Sequence, residues 1–160
     1  MVPQDPVLFS GTLRSNLDPT SLNSDAQIWG ALESVHMKEL VATHPKKLDM
    51  AIDETGGDFS IGQRQLLCLA RAVLKGAKII VMDEATSNLD RETEVRMQQS
   101  LEETFREATI ITIAHRLETV MHYDVIIVMD KGKILEVGHP QELASMQGEF
   151  RKMMKSSALL

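Results

Sequence analysis

The sequence predicts an α/β fold with a parallel-sheet core and a helical subdomain, and three observations predict it. Short apolar runs, rich in β-branched residues, occur at 79–82, 109–113 and 125–129. Segments with apolar residues at spacings of three and four alternate with them. The first run stops abruptly at two carboxylates, Asp83 and Glu84. A strand that delivers polar groups to the edge of an open sheet has this form.

The elements follow in order. Residues 6–58 carry few strand signals. Asp25 is expected to cap a helix through 26–32, and a second short helix is expected over 36–43. His44-Pro45 ends it, because proline lacks an amide donor and disfavours helix in the residue before it. Glu54-Thr55-Gly56-Gly57-Asp58 is a turn-rich loop. A helix is expected from Ser60 up to Leu74, with Leu66, Leu69, Ala70 and Val73 forming one apolar face. Lys75 and Gly76 close it with a cation and a C-terminal glycine.

Residues 78–82 read as a buried parallel strand, 109–113 as another and 125–129 as a third. Asp90 reads as the cap of the next helix, with Glu92 and Glu94 near its positive end. Asp130-Lys131-Gly132-Lys133 turns the chain into 134–137 as a hairpin. Pro140 starts a final short helix, and the tail from Lys152 onward is expected to fray.

Composition bounds the function. With 160 residues the chain is long enough for one domain with a core. A net charge of −6 argues against a nucleic-acid binder that works through a broad basic surface, so no nucleic-acid partner is expected. Cys68 is the one cysteine, which excludes an intrachain disulfide and fits a reducing compartment. It lies in Leu66-Leu67-Cys68-Leu69-Ala70 and reads as a small buried side chain rather than a reactive thiol. No apolar run approaches the roughly 20 residues that span a bilayer. The N-terminus lacks a basic stretch followed by an apolar one. Membrane association is therefore expected only through a partner or through protein outside this chain.

Three groups carry chemistry. Asp83 and Glu84 follow a buried strand, where ligands of open α/β sheets bind. An acidic residue there can hold Mg²⁺, which prefers oxygen ligands and keeps part of its water shell. The adjacent carboxylate can orient and polarise an attacking water. Ser60-Ile61-Gly62-Gln63 opens a helix, where free amides and the helix dipole favour an anion; an ordinary serine cap is the simpler reading of those residues taken alone. His115 follows the 109–113 strand and so comes near the same sheet edge, in reach of a phosphate.

Together these residues stand in a known order, and the chain resembles the ABC ATPase family from about residue 2 to residue 145. Gln4 resembles the Q-loop glutamine, and Phe59-Ser60-Ile61-Gly62-Gln63 the signature motif. Residues 79–83 resemble the Walker B strand, followed by Glu84 as the catalytic glutamate. Ser87-Asn88-Leu89-Asp90 resembles the D-loop, and His115 the switch histidine. Three stretches are similar to the second nucleotide-binding domain of subfamily C, the multidrug-resistance-associated type. They are Pro3 onward to Thr12, Asn16-Leu17-Asp18-Pro19, and the run from Gly62 to Ala72. Ile61 stands where the common signature has glycine, a habit of that domain.

The resemblance implies a P-loop NTPase fold, with 6–75 as a helical subdomain and 76–160 as part of the core. It implies ATP and Mg²⁺ as cofactors, with Asp83 and Gln4 serving Mg²⁺. Glu84 would activate water and His115 would contact the γ-phosphate. Gln4, Ser60, Gly62, Gln63 and Asp90 would bind nucleotide. Two such domains sandwich two ATP molecules head to tail, so Ser60, Gly62 and Gln63 would face the ATP of a partner domain. Closure would push on transmembrane domains through the region after Gln4, at the cytoplasmic face of a membrane. Coupling ATP hydrolysis to export is the implied activity. A channel or channel regulator of the same subfamily, or a catalytically silent fragment, stands as the alternative. A DNA-repair ABC ATPase fits less well, since no coiled-coil insertion and no acidic residue at position 63 occurs.

One departure matters. No Gly-x-x-x-x-Gly-Lys-Ser/Thr occurs: at the one Gly-Lys pair, Gly132-Lys133, both Ile127 and Ile134 break the pattern. That loop supplies the amides and the lysine that hold phosphates. In the family it precedes the Q-loop, so the chain is expected to be an incomplete domain that begins after it.

Overall fold

The computed structural model describes residues 2–3, 5–53, 59–83, 91–114 and 117–156. The chain divides into two compact units, 1–113 and 114–160. The first holds Gly11–Thr12 (β1), Leu13–Leu17 (α1), Asp25–Ser34 (α2) and Lys38–Thr43 (α3). A 3₁₀ turn at Lys47–Asp49 follows, then Ala51–Ile52 (β2), Ile61–Leu74 (α4), Ile79–Asp83 (β3), Arg91–Thr104 (α5) and Thr109–Ile113 (β4).

Local chemistry sets most helix ends, with two corrections. The cap of α2 is Ser24 rather than Asp25. Gln27 Oε1 accepts the Ser24 amide at 2.8 Å while the Gln27 amide reaches Ser24 Oγ, a reciprocal capping box. Asp25 is instead the first helical residue, and its carboxylate takes two hydrogen bonds from the Arg14 guanidinium. His36 adopts φ 56°, a left-handed conformation no helix tolerates, so α3 starts at Lys38 rather than 36. His44 is extended, as the residue before a proline must be, and α3 ends there.

The α4 helix forms as expected at both ends. Ser60 caps it, accepting the Gln63 amide at 3.2 Å, and Gln63 Oε1 returns a bond to the Ser60 amide at 3.0 Å. At the other end Gly76 has φ 60°. Its amide reaches Val73 O at 2.9 Å, and the Ala77 amide reaches Ala72 O at 3.1 Å. This pair of bonds is the Schellman closure, which glycine at the left-handed position makes possible. The expected single apolar face is too narrow: Leu67 and Cys68 are buried beside Leu66, Leu69 and Ala70. The reason is tertiary, since α4 packs against α1, α2 and α5 at once. Each buried leucine contributes about 1.5–3 kcal/mol.

β3 and β4 pair in parallel, from Ile79 opposite Thr109 to Asp83 opposite Ile113. Their expected burial does not hold. Ile80 and Met82 are buried, in one cluster with Met97, Leu101 and Phe105. On the opposite face Ile79 is 63% exposed and Ile111 and Ile113 are each 51% exposed. Side chains alternate across a strand, and one face of this pair has its cover while the other is open among the described residues.

The second unit contains Leu117–Val120 (α6), Ile126–Asp130 (β5), Lys133–Gly138 (β6), Pro140–Ser145 (α7) and Glu149–Ser156 (α8). β5 and β6 form the expected antiparallel hairpin. Its turn residues Lys131 and Gly132 both have positive φ, 48° and 74°, the type I′ geometry that matches strand twist. The third strand is not buried as expected. Val128 is covered, but Ile127 and Met129 on the alternate positions are exposed. Pro140 does start a helix, capped by His139. The tail does not fray at Lys152. α8 runs on to Ser156 because Phe150 and Met154, four apart on one face, are buried with Val128 and Leu143. Glu136 holds its start, accepting from the amides of Glu149 and Phe150.

Candidate functional site

The site begins at the carboxyl end of β3. Asp83 is the last residue of that strand and is half-buried. Val2 lies along its other edge: the Val2 amide donates to Val81 O at 2.8 Å, and the Asp83 amide donates to Val2 O at 3.3 Å. β3 is thus flanked by Val2 on one side and β4 on the other. The segment leading to Gln4 and the strand ending in Asp83 leave the same sheet edge. β4 ends level with Asp83, at Ile113. Gln4, Glu84, Asp90 and His115 lie outside the described residues, as do the 54–58 loop and Ser87, Asn88 and Leu89. The expectations for the side chains of Glu92 and Glu94 fall outside them as well.

Among the described residues no cation or hydrogen-bond donor is paired with the Asp83 carboxylate, and no cluster of three metal-ligating side chains forms. A single carboxylate fits Mg²⁺, which keeps several waters and takes its other oxygens from phosphate. It would not fit Zn²⁺, which needs three or four protein ligands.

Ser60, Gly62 and Gln63 sit together at the start of α4. Gly62 is buried, while Ile61 and Gln63 are half-buried. The side chains of Ser60 and Gln63 are spent on each other's amides in the capping box. The amides of Ile61 and Gly62, in the first turn, have no acceptor within the helix, and first-turn amides are the kind that can serve an anion. The branched side chain of Ile61 adds bulk at that spot. A hollow of about 240 Å³ lined by Val73, Lys78, Phe105 and Ala108 lies at the amino ends of β3 and β4. That is the end opposite Asp83, away from where open α/β sheets bind ligands.

One network was not foreseen. Arg71 of α4 donates to Asn16 O at 2.6 Å, Asn16 Oδ1 at 3.0 Å and Val7 O at 3.0 Å. Asn16, only 4% exposed, in turn donates to Phe9 O and Thr12 O and accepts from the Phe9 amide. Asp18 is equally buried and binds the Asn23 amide at 2.7 Å and the Thr20 hydroxyl at 3.0 Å. The polar residues of Asn16-Leu17-Asp18-Pro19 are therefore internal fasteners. The available signal was an arginine inside an apolar helical run, which must find acceptors when it cannot reach water. Burial raises the Cys68 thiol, which agrees with its expected inert role.

Comparison with known proteins identifies the frame. Residues 1–87 match the family described as ABC transporter. This chain belongs to the ABC transporter family. It is 50% identical over 159 residues to ATP-binding cassette sub-family C member 2 of Homo sapiens, covering 99% of this chain and 10% of that protein. It is 51% identical over 143 residues to the probable multidrug resistance-associated protein lethal(2)03659 of Drosophila melanogaster, covering 89% of this chain and 10% of that one. The likeness to subfamily C drawn from the motifs is thereby upheld. The chain spans about a tenth of the length of these curated relatives. Its fold matches a bacterial Atm1-family ABC exporter solved with ATP bound, at a TM-score of 0.89 and 32% identity, over 98% of this chain and 28% of that chain. The P-loop NTPase fold expected of this ABC transporter family member is the fold observed. No described helix is long and apolar enough to cross a membrane.

Proposed function

We propose that this chain forms the part of a nucleotide-binding domain that carries the signature helix and the hydrolytic carboxylates of a subfamily C ABC transporter. In the whole protein, ATP hydrolysis would drive export across a membrane. The observation that carries the reading is the juxtaposition of Val2 with Asp83, which brings the approach to Gln4 alongside the acidic strand end. The 50% identity to a subfamily C member supports it.

In this reading Asp83, with Gln4, holds Mg²⁺ beside the nucleotide's phosphates. The ion would neutralise charge on the phosphate oxygens. Glu84 accepts a proton from the attacking water and His115 donates to the γ-phosphate. Asp90 belongs to the nucleotide-facing loop. The first-turn amides of α4, with Ser60, Gly62 and Gln63, face the ATP of a second nucleotide-binding domain, and the segment after Gln4 meets the transmembrane domains. The chain would work at the cytoplasmic face of the membrane.

Turnover by the full-length transporter tests this. Glu84→Gln keeps the side chain's size but removes the base, so hydrolysis should slow by roughly 10²- to 10⁴-fold while nucleotide remains bound. Unchanged turnover would remove Glu84 from the chemistry.

A further inference from the structure

Arg71 stands ten residues along α4 from Ile61, about 15 Å from the end that carries the signature residues. Its guanidinium reaches three acceptors in a separate stretch of chain: Val7 O, Asn16 O and Asn16 Oδ1. A fourth contact, from Nη1 to Cys68 Sγ at 3.7 Å, holds the fork against its own helix. Asn16 extends the network to both the amide and the carbonyl of Phe9. A planar fork that meets acceptors on three atoms of one segment fixes orientation as well as distance, which a flexible ammonium does not. Helix α4 itself is packed against α1, α2 and α5.

We propose that Arg71 is a positioning residue that joins the segment 7–16 and the helix α4 into one rigid block, and so couples the two nucleotide sites. The proposal rests on the function assigned above. There, the segment 7–16 follows Gln4, which serves this domain's own nucleotide. The first turn of α4 serves the partner's. A displacement that starts at one is carried to the other through Arg71. Val7 and Phe9, 56% and 66% exposed, lie on the same block.

The test is steady-state hydrolysis by the full-length transporter, with rates expressed per folded molecule. Wild type, Arg71→Gln, Arg71→Lys and Glu84→Gln are compared. In the proposed arrangement α4 faces the partner's nucleotide, so a shift of α4 acts on closure rather than on entry of ATP into the open site. Arg71→Gln should therefore lower kcat about 10-fold or more, because small misplacements are costly in rate. KM for ATP should change less than about 2-fold. Arg71→Lys, which keeps the charge and loses the fork, should lie between. A merely structural arginine would lower the amount of folded protein and leave both constants where they were; that result overturns the proposal. So does a rise in KM with kcat preserved. Where Arg71→Gln does not accumulate, Arg71→Lys decides by the same two criteria. Glu84→Gln separates the levels. If it turns over like wild type, the hydrolytic reading itself fails. If it is inactive and Arg71→Gln is normal, only the coupling fails.

Discussion

The amide of Asp83 donates to the carbonyl of Val2 at 3.3 Å, so a residue from the very start of the chain fixes the strand end that carries the acidic group. The bond uses backbone only, and substitution of the Asp83 side chain leaves it in place. Asp83→Asn in the full-length transporter should thus keep the geometry and lose the charge. Mg²⁺-dependent nucleotide affinity should fall about tenfold, equivalent to roughly 1.4 kcal/mol, within the range for one charged contact. Titration of nucleotide with and without Mg²⁺ checks this. Equal affinities for both forms of the protein in Mg²⁺ would count against a metal role for Asp83.

The 160-residue chain by itself should bind Mg-ATP weakly. It contains no Gly-x-x-x-x-Gly-Lys-Ser/Thr, and the first-turn amides of α4 face a partner's nucleotide in the proposed arrangement. Calorimetric titration of the purified chain measures it. A micromolar Kd, about −8 kcal/mol, contradicts the expectation.

Glu136 and Gly148 make the start of α8. A Cβ built on Gly148 would stand against Glu136 Oε1, inside the space the capping carboxylate fills. Gly148→Ala should push that carboxylate away from the amides of Glu149 and Phe150. The cost should be about 0.5–2 kcal/mol, the value of a helix cap. Glu136→Gln should cost less, since the amide oxygen still accepts. Thermal unfolding compares the two; a Gly148→Ala protein as stable as wild type would show that the cap contributes nothing.

Asp18 gives the fold an acid dependence. The Asn23 amide first, then the Thr20 hydroxyl against the opposing effect of burial, hold its carboxyl below the usual carboxylate range. A group whose pKa is lowered on folding stabilises at pH above its unfolded value, about 3.9, and loses that stabilisation as pH falls through the folded value. Asp18→Asn should therefore be less stable than wild type at pH 6, with the difference shrinking toward pH 3. Melting curves across that range report it, and a difference independent of pH would refute the role of the charge.

Signals confined to a few neighbouring positions were legible in the sequence. Ser60 with Gln63, Gly76 after Leu74, and Lys131-Gly132 between two apolar runs each act through bonds within about six residues. The order of motifs was legible too, since Asp83 had to follow an apolar strand and Ser60 had to open a helix. At α2 the sequence pointed to Asp25 as the cap, and only the folded chain showed Ser24 in that place and Asp25 engaged by Arg14.

By itself, then, the sequence determined the α/β class, the order of the longer elements, most caps and turns and the residue types offered to chemistry, because these depend on short-range geometry and on residue type. Tertiary structure alone decided which face of β3 and β4 is covered, that α4 is packed on several sides, and that α8 continues to Ser156. It also decided the partners of Arg71, up to 64 residues away, and of Glu136, 13 and 14 residues away. Periodicity shows that a side chain must be satisfied or buried. Only the meeting of distant segments determines what satisfies it.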